Sequence, residues 1–257
     1  MSYETIRVAR DGRGVATVTL DLPRTHNAMS AAMMDELTAF AAAPDARVVV
    51  LTGAGESFCA GGDLGWMRAQ FEAPPETRAA EARRLAGMLG ALDAMPVPLV
   101  ARVNGAAFGG GIGLCCVADV AVASRAARFG FTEARLGLIP ATIGPYVVAR
   151  MGEGPARRVF MSGRRFDAAE ARELGIVART VAPGDLDAAV EAEVAPYLDC
   201  APGAVADAKA LARRLGGGVG PEAVEDSIAA LVARWEGPEA QEGVGAFFAR
   251  RAPSWQR

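Results

Sequence analysis

The chain has 257 residues, of which 51 % are hydrophobic and 22 % are charged, the proportions of a globular protein with a sizeable core. Its formal net charge of −3 gives no sign of a nucleic-acid or anionic-membrane partner. The most apolar stretch, residues 105–118, is shorter than the roughly 20 residues that span a bilayer, so we expect it in the core. Residues 1–4 lead straight into a strand pattern without a basic start, so we expect no secretory signal and a cytoplasmic protein.

Rare residue types exclude several classes of enzyme. His26 is the only histidine, which excludes a zinc site built from histidines, and no G-x-S-x-G motif accompanies it as a serine triad requires. Lys209 is the only lysine and lacks the Walker spacing before it. The four cysteines show no C-x-x-C spacing, which favours free thiols in a reducing compartment. We therefore expect no metal, and chemistry that depends on carboxylates, backbone amides or cysteines.

The first half of the chain alternates short strands with helices. Residues 4–10 and 15–21 alternate in polarity around the turn sequence Asp11-Gly12-Arg13-Gly14, which predicts a β-hairpin. Ser30 is a helix N-cap candidate, and residues 47–52 form an apolar run typical of a strand buried on both faces. Together these patterns predict an α/β fold.

The strand patterns continue only to about residue 183. A long helix is predicted over 76–95, followed by strands over 99–103 and 117–123. Four amphipathic helices are then predicted over 186–198, 204–215, 223–235 and 239–251. We expect residues 1–183 to form an α/β core that carries the site, and residues 184–257 to form a helical region for oligomerisation.

Two glycine-rich segments stand where a strand leads into a helix. FGGGIGLCCVAD (108–119) follows the predicted strand 99–103, and FCAGGDLGWM (58–67) follows the predicted strand within 47–52. A helix N-terminus has unpaired N–H groups, and glycine lets a ligand approach them without a Cβ in the way. Two such strand-to-helix junctions, called glycine corners below, could direct two backbone N–H groups at one oxygen, as the enolate of a thioester requires. Close packing of a helix against its neighbour is the alternative interpretation of the glycines.

Several motifs, in the same order, resemble those of the crotonase family, also called the enoyl-CoA hydratase/isomerase family. They are PRTHNAMS (23–30), LTGAGESFCAGGD (51–63), VARVNGAAFGGGIGL (100–114), ADVAVAS (118–124), FGFTEARLGLIP (129–140) and FFARRAPSW (247–255). The resemblance implies a spiral of β-β-α repeats with a C-terminal helical region. It also implies assembly as homotrimers or dimers of trimers, an acyl-CoA thioester as substrate, and no cofactor besides the coenzyme A of that substrate.

The resemblance also implies the residues of the site. The backbone N–H groups of Gly62 and Gly110 would form the oxyanion hole, and Ala60 to Leu64 would lie beside the adenine and pantetheine. Basic residues near the CoA phosphates would be Arg24 and His26, although His26 could equally be a surface or capping histidine. The full set implied to contact the acyl-CoA is Arg24, His26, Ala60, Gly62, Asp63, Leu64, Gly110, Gly113, Phe247 and Arg250, the last two in a neighbouring subunit's site.

One position departs from the family pattern. Hydratases of this family commonly carry two glutamates, of which Glu133 is present and the other is replaced by Gly113. Glu133 is then the expected proton-transfer group, with its pKa raised by Phe129, Phe131 and Leu136. Loss of the second side chain would open volume and remove a negative charge, which would suit a branched acyl group that bears its own carboxylate.

The sequence is compatible with several reactions. FCAGGDLGWM and GLIPATIGPYVV (137–148) look like the methylglutaconyl-CoA and isohexenylglutaconyl-CoA hydratase subgroup, which favours hydration of a branched 2-enoyl-CoA. A Δ3,Δ2-enoyl-CoA isomerase that uses Glu133 alone is the first alternative. A thioester hydrolase or decarboxylase is another, and so is a non-catalytic crotonase-fold protein that binds CoA or RNA. Asp63 and Asp119 are further acids, and for Asp119 we expect a structural role.

Overall fold

Two sheets organise the chain. The computed structural model describes residues 3–256, and its strands and helices have the following bounds. The strands are β1 (Ile6–Arg10), β2 (Val15–Leu20), β3 (Val48–Gly53), β4 (Ser57–Cys59), β5 (Leu99–Val103), β6 (Ala106–Phe108), β7 (Val120–Ser124), β8 (Arg128–Gly130), β9 (Arg165–Asp167) and β10 (Arg179–Val181). The α-helices are α1 (Ala31–Ala42), α2 (Leu64–Glu72), α3 (Pro75–Ala94), α4 (Gly110–Val117), α5 (Gly144–Met151), α6 (Glu153–Phe160), α7 (Ala168–Glu173), α8 (Leu186–Leu198), α9 (Pro202–Leu215), α10 (Pro221–Glu236) and α11 (Pro238–Phe248).

The larger sheet has the strand order β1-β2-β3-β5-β7-β10, and the smaller one has the order β4-β6-β8-β9. The predicted hairpin is confirmed: β1 and β2 pair antiparallel, and the Asp11 carboxylate accepts the N–H groups of Arg13 and Val15 in the turn. The strands β2, β3, β5, β7 and β10 are parallel in the larger sheet, as are β4, β6 and β8 in the smaller one.

Successive segments repeat one pattern, in which a strand of the larger sheet is followed by a strand of the smaller sheet and then by a helix. The pairs β3–β4, β5–β6 and β7–β8 follow it. The chain turns sharply between the two sheets at Gly105, where an added Cβ would lie 1.8 Å from the Glu56 carbonyl oxygen. This repeat confirms the predicted spiral architecture. The sequence prediction missed the smaller sheet, whose three-residue strands are too short to show a periodicity.

Most predicted helices are confirmed, with small shifts at their ends. Ser30 caps α1 by accepting the Met33 N–H, and α8 has the predicted bounds. Proline is the first residue of α3, α9, α10 and α11, where the missing N–H costs no hydrogen bond. The predicted strand over 117–123 begins only at Val120, because residues up to Val117 complete α4.

The last helices cover the chain's own core. The helix α8 packs on the larger sheet, with Leu186, Val190 and Val194 buried against valines of that sheet. The helix α10 packs against α3, and α11 packs against the 3-10 turn Glu133–Leu136. Thus α10 and α11 belong to the walls of the site. Within residues 3–256, no helix has the length and apolar character needed to cross a membrane.

Candidate active site

Two adjoining cavities lie where the two glycine-rich segments meet. Both are lined by Gly62, Met67, Gly110, Glu133 and Leu138. The inner cavity, of about 100 Å³, is further lined by Met29, Met34, Trp66, Leu85, Ile139, Pro140, Ala141, Thr142, Ile143, Leu231 and Trp235. The outer cavity, of about 400 Å³, is further lined by Ala60, Gly61, Leu64, Phe108, Gly109, Thr132, Arg135, Leu136, Arg165 and Phe247.

The backbone of Gly62 is held by a short parallel pairing with Met29. The Met29 N–H donates to the Gly61 carbonyl oxygen at 2.7 Å, and the Asp63 N–H donates to the Met29 carbonyl oxygen at 3.0 Å. In a parallel ladder, the residue between two such bonds turns its own N–H to the opposite side. The Gly62 N–H therefore faces away from Met29, and no acceptor for it occurs within residues 3–256.

Gly110 is the first residue of α4, so its N–H has no partner within the helix. It also lies at the end of the helix that carries partial positive charge. The two glycine corners are close in space, because a Cβ on Gly61 would lie 4.0 Å from the Gly110 nitrogen. The arrangement leaves two backbone N–H groups, on Gly62 and Gly110, beside the same pair of cavities.

The three consecutive glycines serve different purposes. Gly109 has φ +47°, a conformation that side chains rarely adopt, and a Cβ on it would lie 2.8 Å from Glu133 Oε1. A Cβ on Gly110 would lie 1.8 Å from Met29 Cε, and one on Gly111 would lie 2.3 Å from the Cys59 carbonyl oxygen. Close packing, the alternative interpretation, therefore explains Gly111 and applies to Gly110 as well, although Gly110 also lines both cavities and Gly109 lines the outer one.

Glu133 begins a 3-10 turn, and its carboxyl group lies between the two cavities. Its Oε2 atom is buried and has no hydrogen-bond partner within the described residues. Burial raises the pKa of Glu133 from its ordinary value of 4.5 to about 7, against the opposing effect of its own backbone N–H. A carboxyl group with a pKa near neutrality can both take and return a proton.

The apolar surroundings of Glu133 differ from those expected. Phe129 and Phe131 are fully buried in the main core and line neither cavity, so they do not form the pocket around the carboxyl group. Of the three expected residues, only Leu136 lines a cavity. The other apolar contacts come from Met67 and Leu138, which line both cavities.

Gly113 is also placed differently from the expectation. It lies one helical turn after Gly109 and lines neither cavity. It faces Ile143, the N-cap residue of α5, and Leu89 of α3, since a Cβ would lie 2.9 Å from Ile143 Cγ2 and 3.6 Å from Leu89 Cδ1. The interpretation that this glycine opens volume for the acyl group is therefore wrong, because Ile143 fills the space. A glutamate introduced there would clash with Ile143 before it could extend an acyl pocket.

Some of the remaining predicted residues line the outer cavity, and the others line neither cavity. Ala60, Leu64 and Phe247 line the outer cavity, and Leu64 and Phe247 are 51 % and 45 % exposed. Asp63 lines neither cavity, because its carboxylate caps α2 by accepting the Trp66 N–H at 3.0 Å. Asp63 is a capping residue in this structure and lacks the position of a second proton-transfer group.

Arg24, His26 and Arg250 are exposed and line neither cavity. The His26 carbonyl oxygen accepts the N–H of Ala60 at 3.0 Å, so the 24–26 turn lies beside the outer cavity. The His26 ring contacts the Ser57 hydroxyl at 3.1 Å.

Several cavity residues gave no signal in the sequence. Trp66 and Trp235 belong to helices that are distant in sequence, yet both line the inner cavity. The Trp66 indole N–H donates to Glu81 at 2.7 Å, which fixes the ring against α3. Arg135 and Arg165 are the basic residues of the outer cavity, and the Arg165 guanidinium lies 5.1 Å from the Phe108 ring centre. Only the packing of α2 and α10 on the core reveals these positions.

Three of the cysteines and Asp119 have structural surroundings. Cys59, Cys115 and Cys116 are buried free thiols, and burial raises the pKa of each. The expected structural role of Asp119 is confirmed, since it accepts the Leu99 N–H and pairs with Lys209 at 2.8 Å. Residues 3–256 contain no group of three or more His, Cys, Asp or Glu side chains able to hold a metal ion.

Comparison with known proteins identifies the family. A family model described as "Enoyl-CoA hydratase/isomerase" matches residues 10–257. A Mycobacterium tuberculosis protein named "Probable enoyl-CoA hydratase echA8" is 32 % identical over 260 residues, covering 99 % of each chain.

Two solved structures have the same fold. The crystal structure of an enoyl-CoA hydratase from Shewanella pealeana matches with a TM-score of 0.79 at 38 % identity, covering 98 % of this chain and 96 % of that one. The structure of an enoyl-CoA hydratase from Mycobacterium avium matches with a TM-score of 0.86 at 30 % identity, covering 99 % and 100 %. The chain, with its two glycine corners around Glu133, belongs to the enoyl-CoA hydratase/isomerase family, the crotonase family, and is an enzyme of that hydratase/isomerase type.

Proposed function

We propose that the enzyme is a hydratase that adds water across the double bond of a 2-enoyl-CoA, with Glu133 as its acid/base group. The observation that carries this proposal is the buried, unpartnered Glu133 carboxyl oxygen between two cavities that Gly62 and Gly110 also line. A buried carboxyl oxygen without a partner costs stability, and such a group beside a cavity is a functional candidate.

The thioester carbonyl oxygen would lie between the N–H groups of Gly62 and Gly110. Negative charge develops on this oxygen as water adds to Cβ, and preorganised N–H groups stabilise that charge more than they stabilise the ground state. Each such donor contributes roughly 3–4 kcal/mol in known oxyanion holes. The acyl chain would then enter the inner cavity, and the CoA portion would leave through the outer one.

Glu133 would carry out both proton transfers. Its carboxylate takes one proton from the water as the water oxygen bonds to Cβ, and the electron pair of the double bond moves onto the thioester as an enolate. The neutral carboxylic acid then returns the proton to Cα as the enolate collapses. The pKa of about 7 places both protonation states within reach at neutral pH.

For the acyl group we propose an uncharged, branched tail of short or medium length. The inner cavity has no Arg, Lys or His among its described lining residues, and its wall is formed largely by Met, Leu, Ile and Trp side chains. A carboxylate on the tail would be buried near Glu133 without a counter-charge, which is costly. This argues against the carboxylate-bearing tail that the sequence suggested.

The surroundings of the outer cavity fit a polyanionic CoA group. Arg135 and Arg165 line the cavity, while Arg24 and His26 lie beside it, and we propose that these four bind its phosphates. Single charge removals such as Arg24→Gln are expected to raise the KM for acyl-CoA several-fold and to leave kcat nearly unchanged.

We also propose that the enzyme assembles as a homotrimer or a dimer of trimers, in which Phe247 and Arg250 approach a neighbour's CoA. The support is exposed apolar surface on the C-terminal helices, since Leu211, Leu215 and Phe247 are 47 %, 79 % and 45 % exposed. Leu231 and Trp235, on the same C-terminal helices, line the inner cavity of their own chain. Light scattering that finds a monomer at micromolar concentration would contradict the proposal.

A Δ3,Δ2-enoyl-CoA isomerase is the second candidate, and one observation favours it. Glu133 is the only carboxylate among the described residues that line either cavity. One carboxylate is sufficient to move a proton between two carbons of an enoyl chain, since no water has to be activated.

A panel of four thioesters separates the candidates. The purified enzyme would be assayed with crotonyl-, methylcrotonyl-, methylglutaconyl- and 3-hexenoyl-CoA, while the absorbance of the conjugated thioester is followed. A loss of absorbance with the first two reports hydration, and a gain with 3-hexenoyl-CoA reports isomerisation. Faster turnover of methylglutaconyl-CoA than of methylcrotonyl-CoA would refute the uncharged tail.

A further inference from the structure

Thr142 differs from the other buried residues that carry a hydroxyl group in the described part of the chain. It is only 5 % exposed as a residue, lines the inner cavity, and makes no side-chain hydrogen bond within residues 3–256. Its Oγ1 is not among the fully buried polar atoms that lack a partner in that range, so the oxygen itself keeps some exposure. Hydroxyl groups of buried residues are usually hydrogen-bonded within the protein. Each of the other buried ones has such a partner here: Thr5, Thr52, Ser57, Ser124 and Tyr146.

The local backbone offers no structural use for this hydroxyl group. Thr142 lies in the turn before α5, where a threonine could cap the helix, but the N-cap position is Ile143 and no side chain caps α5. Its neighbours Ala141 and Ile143 also line the inner cavity. The hydroxyl group therefore stands in an apolar wall with its hydrogen-bonding capacity free for a molecule inside the cavity.

Hydration requires a second hydrogen-bond acceptor for the attacking water, in addition to Glu133. A water molecule that attacks carbon with a lone pair directs its two O–H bonds at two acceptors, and one of these is the Glu133 carboxylate. Ile143 fills the space beside Gly113, where the family commonly carries a second glutamate. The N–H groups of Gly62 and Gly110 are donors and cannot accept the second O–H bond.

The other polar side-chain groups of the inner cavity do not supply that acceptor. The indole N–H groups of Trp66 and Trp235 are donors only, and that of Trp66 already bonds Glu81. The Thr142 hydroxyl oxygen is the side-chain acceptor that remains among the described lining residues.

We propose that the Thr142 hydroxyl group holds the attacking water together with Glu133, in place of the missing second carboxylate; this rests on the proposed hydratase function. The water donates one O–H bond to Glu133 and the other to Thr142 Oγ1, which leaves a lone pair directed at Cβ. The proton moves only to Glu133, whereas Thr142 gains and loses no proton. Thr142 is thus a water-binding residue that fixes the direction of attack.

The test compares Thr142→Val, which keeps the shape and removes the hydroxyl group, with Thr142→Ser, which keeps the hydroxyl group. For the 2-enoyl-CoA that wild-type enzyme hydrates best, we expect Thr142→Val to lower kcat about tenfold or more, the loss of one well-placed hydrogen bond. The KM for that substrate and the Kd for the saturated butyryl-CoA should change less than twofold. Thr142→Ser should retain kcat within about threefold of wild type.

Thr52→Val is the matched control, because Thr52 is buried, bonds the Arg102 carbonyl oxygen and lies outside both cavities. It should leave kcat within twofold of wild type. Should Thr142→Val fail to fold, Thr142→Ala replaces it in the same comparison. A kcat for the folded hydroxyl-free variant within twofold of wild type overturns the proposal, and so does an equal loss in Thr142→Ser. Wild-type enzyme that hydrates no 2-enoyl-CoA would instead refute the proposed function itself.

Discussion

Glu133→Gln tests the proposed chemistry and the burial of the carboxyl group in one variant. Glutamine keeps the size of the side chain but can neither take nor return a proton. Acid–base groups contribute about 10²–10⁴-fold to rates, and a lone carboxylate should lie at the upper end of that range. We expect kcat for hydration to fall by about 10³-fold or more, with the Kd for butyryl-CoA changed less than threefold.

The same substitution should make the protein more stable at neutral and alkaline pH. The folded state raises the pKa of Glu133 from 4.5 to about 7, so the folded protein binds more protons than the unfolded chain between those values. The contribution of Glu133 to the free energy of unfolding is therefore most favourable below about pH 4.5. That contribution is lost as the pH rises to about 7. A shift of this size corresponds to roughly 3 kcal/mol, which glutamine would recover in part above pH 7.

Urea unfolding at pH 5 and pH 8 measures this effect. We expect Glu133→Gln to be stabilised relative to wild type by roughly 1–3 kcal/mol at pH 8, and by clearly less at pH 5. Glu56→Gln, at an exposed loop position, is the control and should show neither change. Equal stabilisation of Glu133→Gln at both pH values would refute the raised pKa, and more than about a tenth of wild-type kcat would show that another group transfers the proton.

Three further results are expected. The kcat/KM for hydration should rise with pH through about 7, because Glu133 must be ionised to take the proton from water; a flat profile from pH 5 to 9 would contradict this. Gly111→Ala should destabilise the protein by about 1–3 kcal/mol, since its Cβ would lie 2.3 Å from the Cys59 carbonyl oxygen. Gly87→Ala in α3, where a Cβ meets nothing within 4 Å, is its control and should be neutral or stabilising in thermal unfolding. Asp63→Ser keeps an N-cap oxygen on α2 and should leave kcat within about twofold, whereas a collapse of activity would assign Asp63 a catalytic role.

Local sequence determined the elements that depend on short-range chemistry. The hairpin at Asp11-Gly12-Arg13-Gly14, the Ser30 cap and the amphipathic helices all follow from periodicity and capping within a few residues. The glycine corners and Glu133 were also visible in the sequence, because their chemistry needs particular residue types in a fixed order. These features suffice to predict the fold class and the family, and they supply the candidate site residues.

Tertiary structure decided which residues meet. Gly113 suggested free volume, but the packing of α5 on α4 places Ile143 in that space, and no local pattern encodes such a contact. Trp235 and Thr142 came together on the inner cavity only because α10 and the turn before α5 fold over the core. The pKa of Glu133 also depends on the tertiary structure. A carboxyl group has its ordinary pKa in an open chain, and only the removal of water by residues distant in sequence raises that pKa to a value useful for proton transfer.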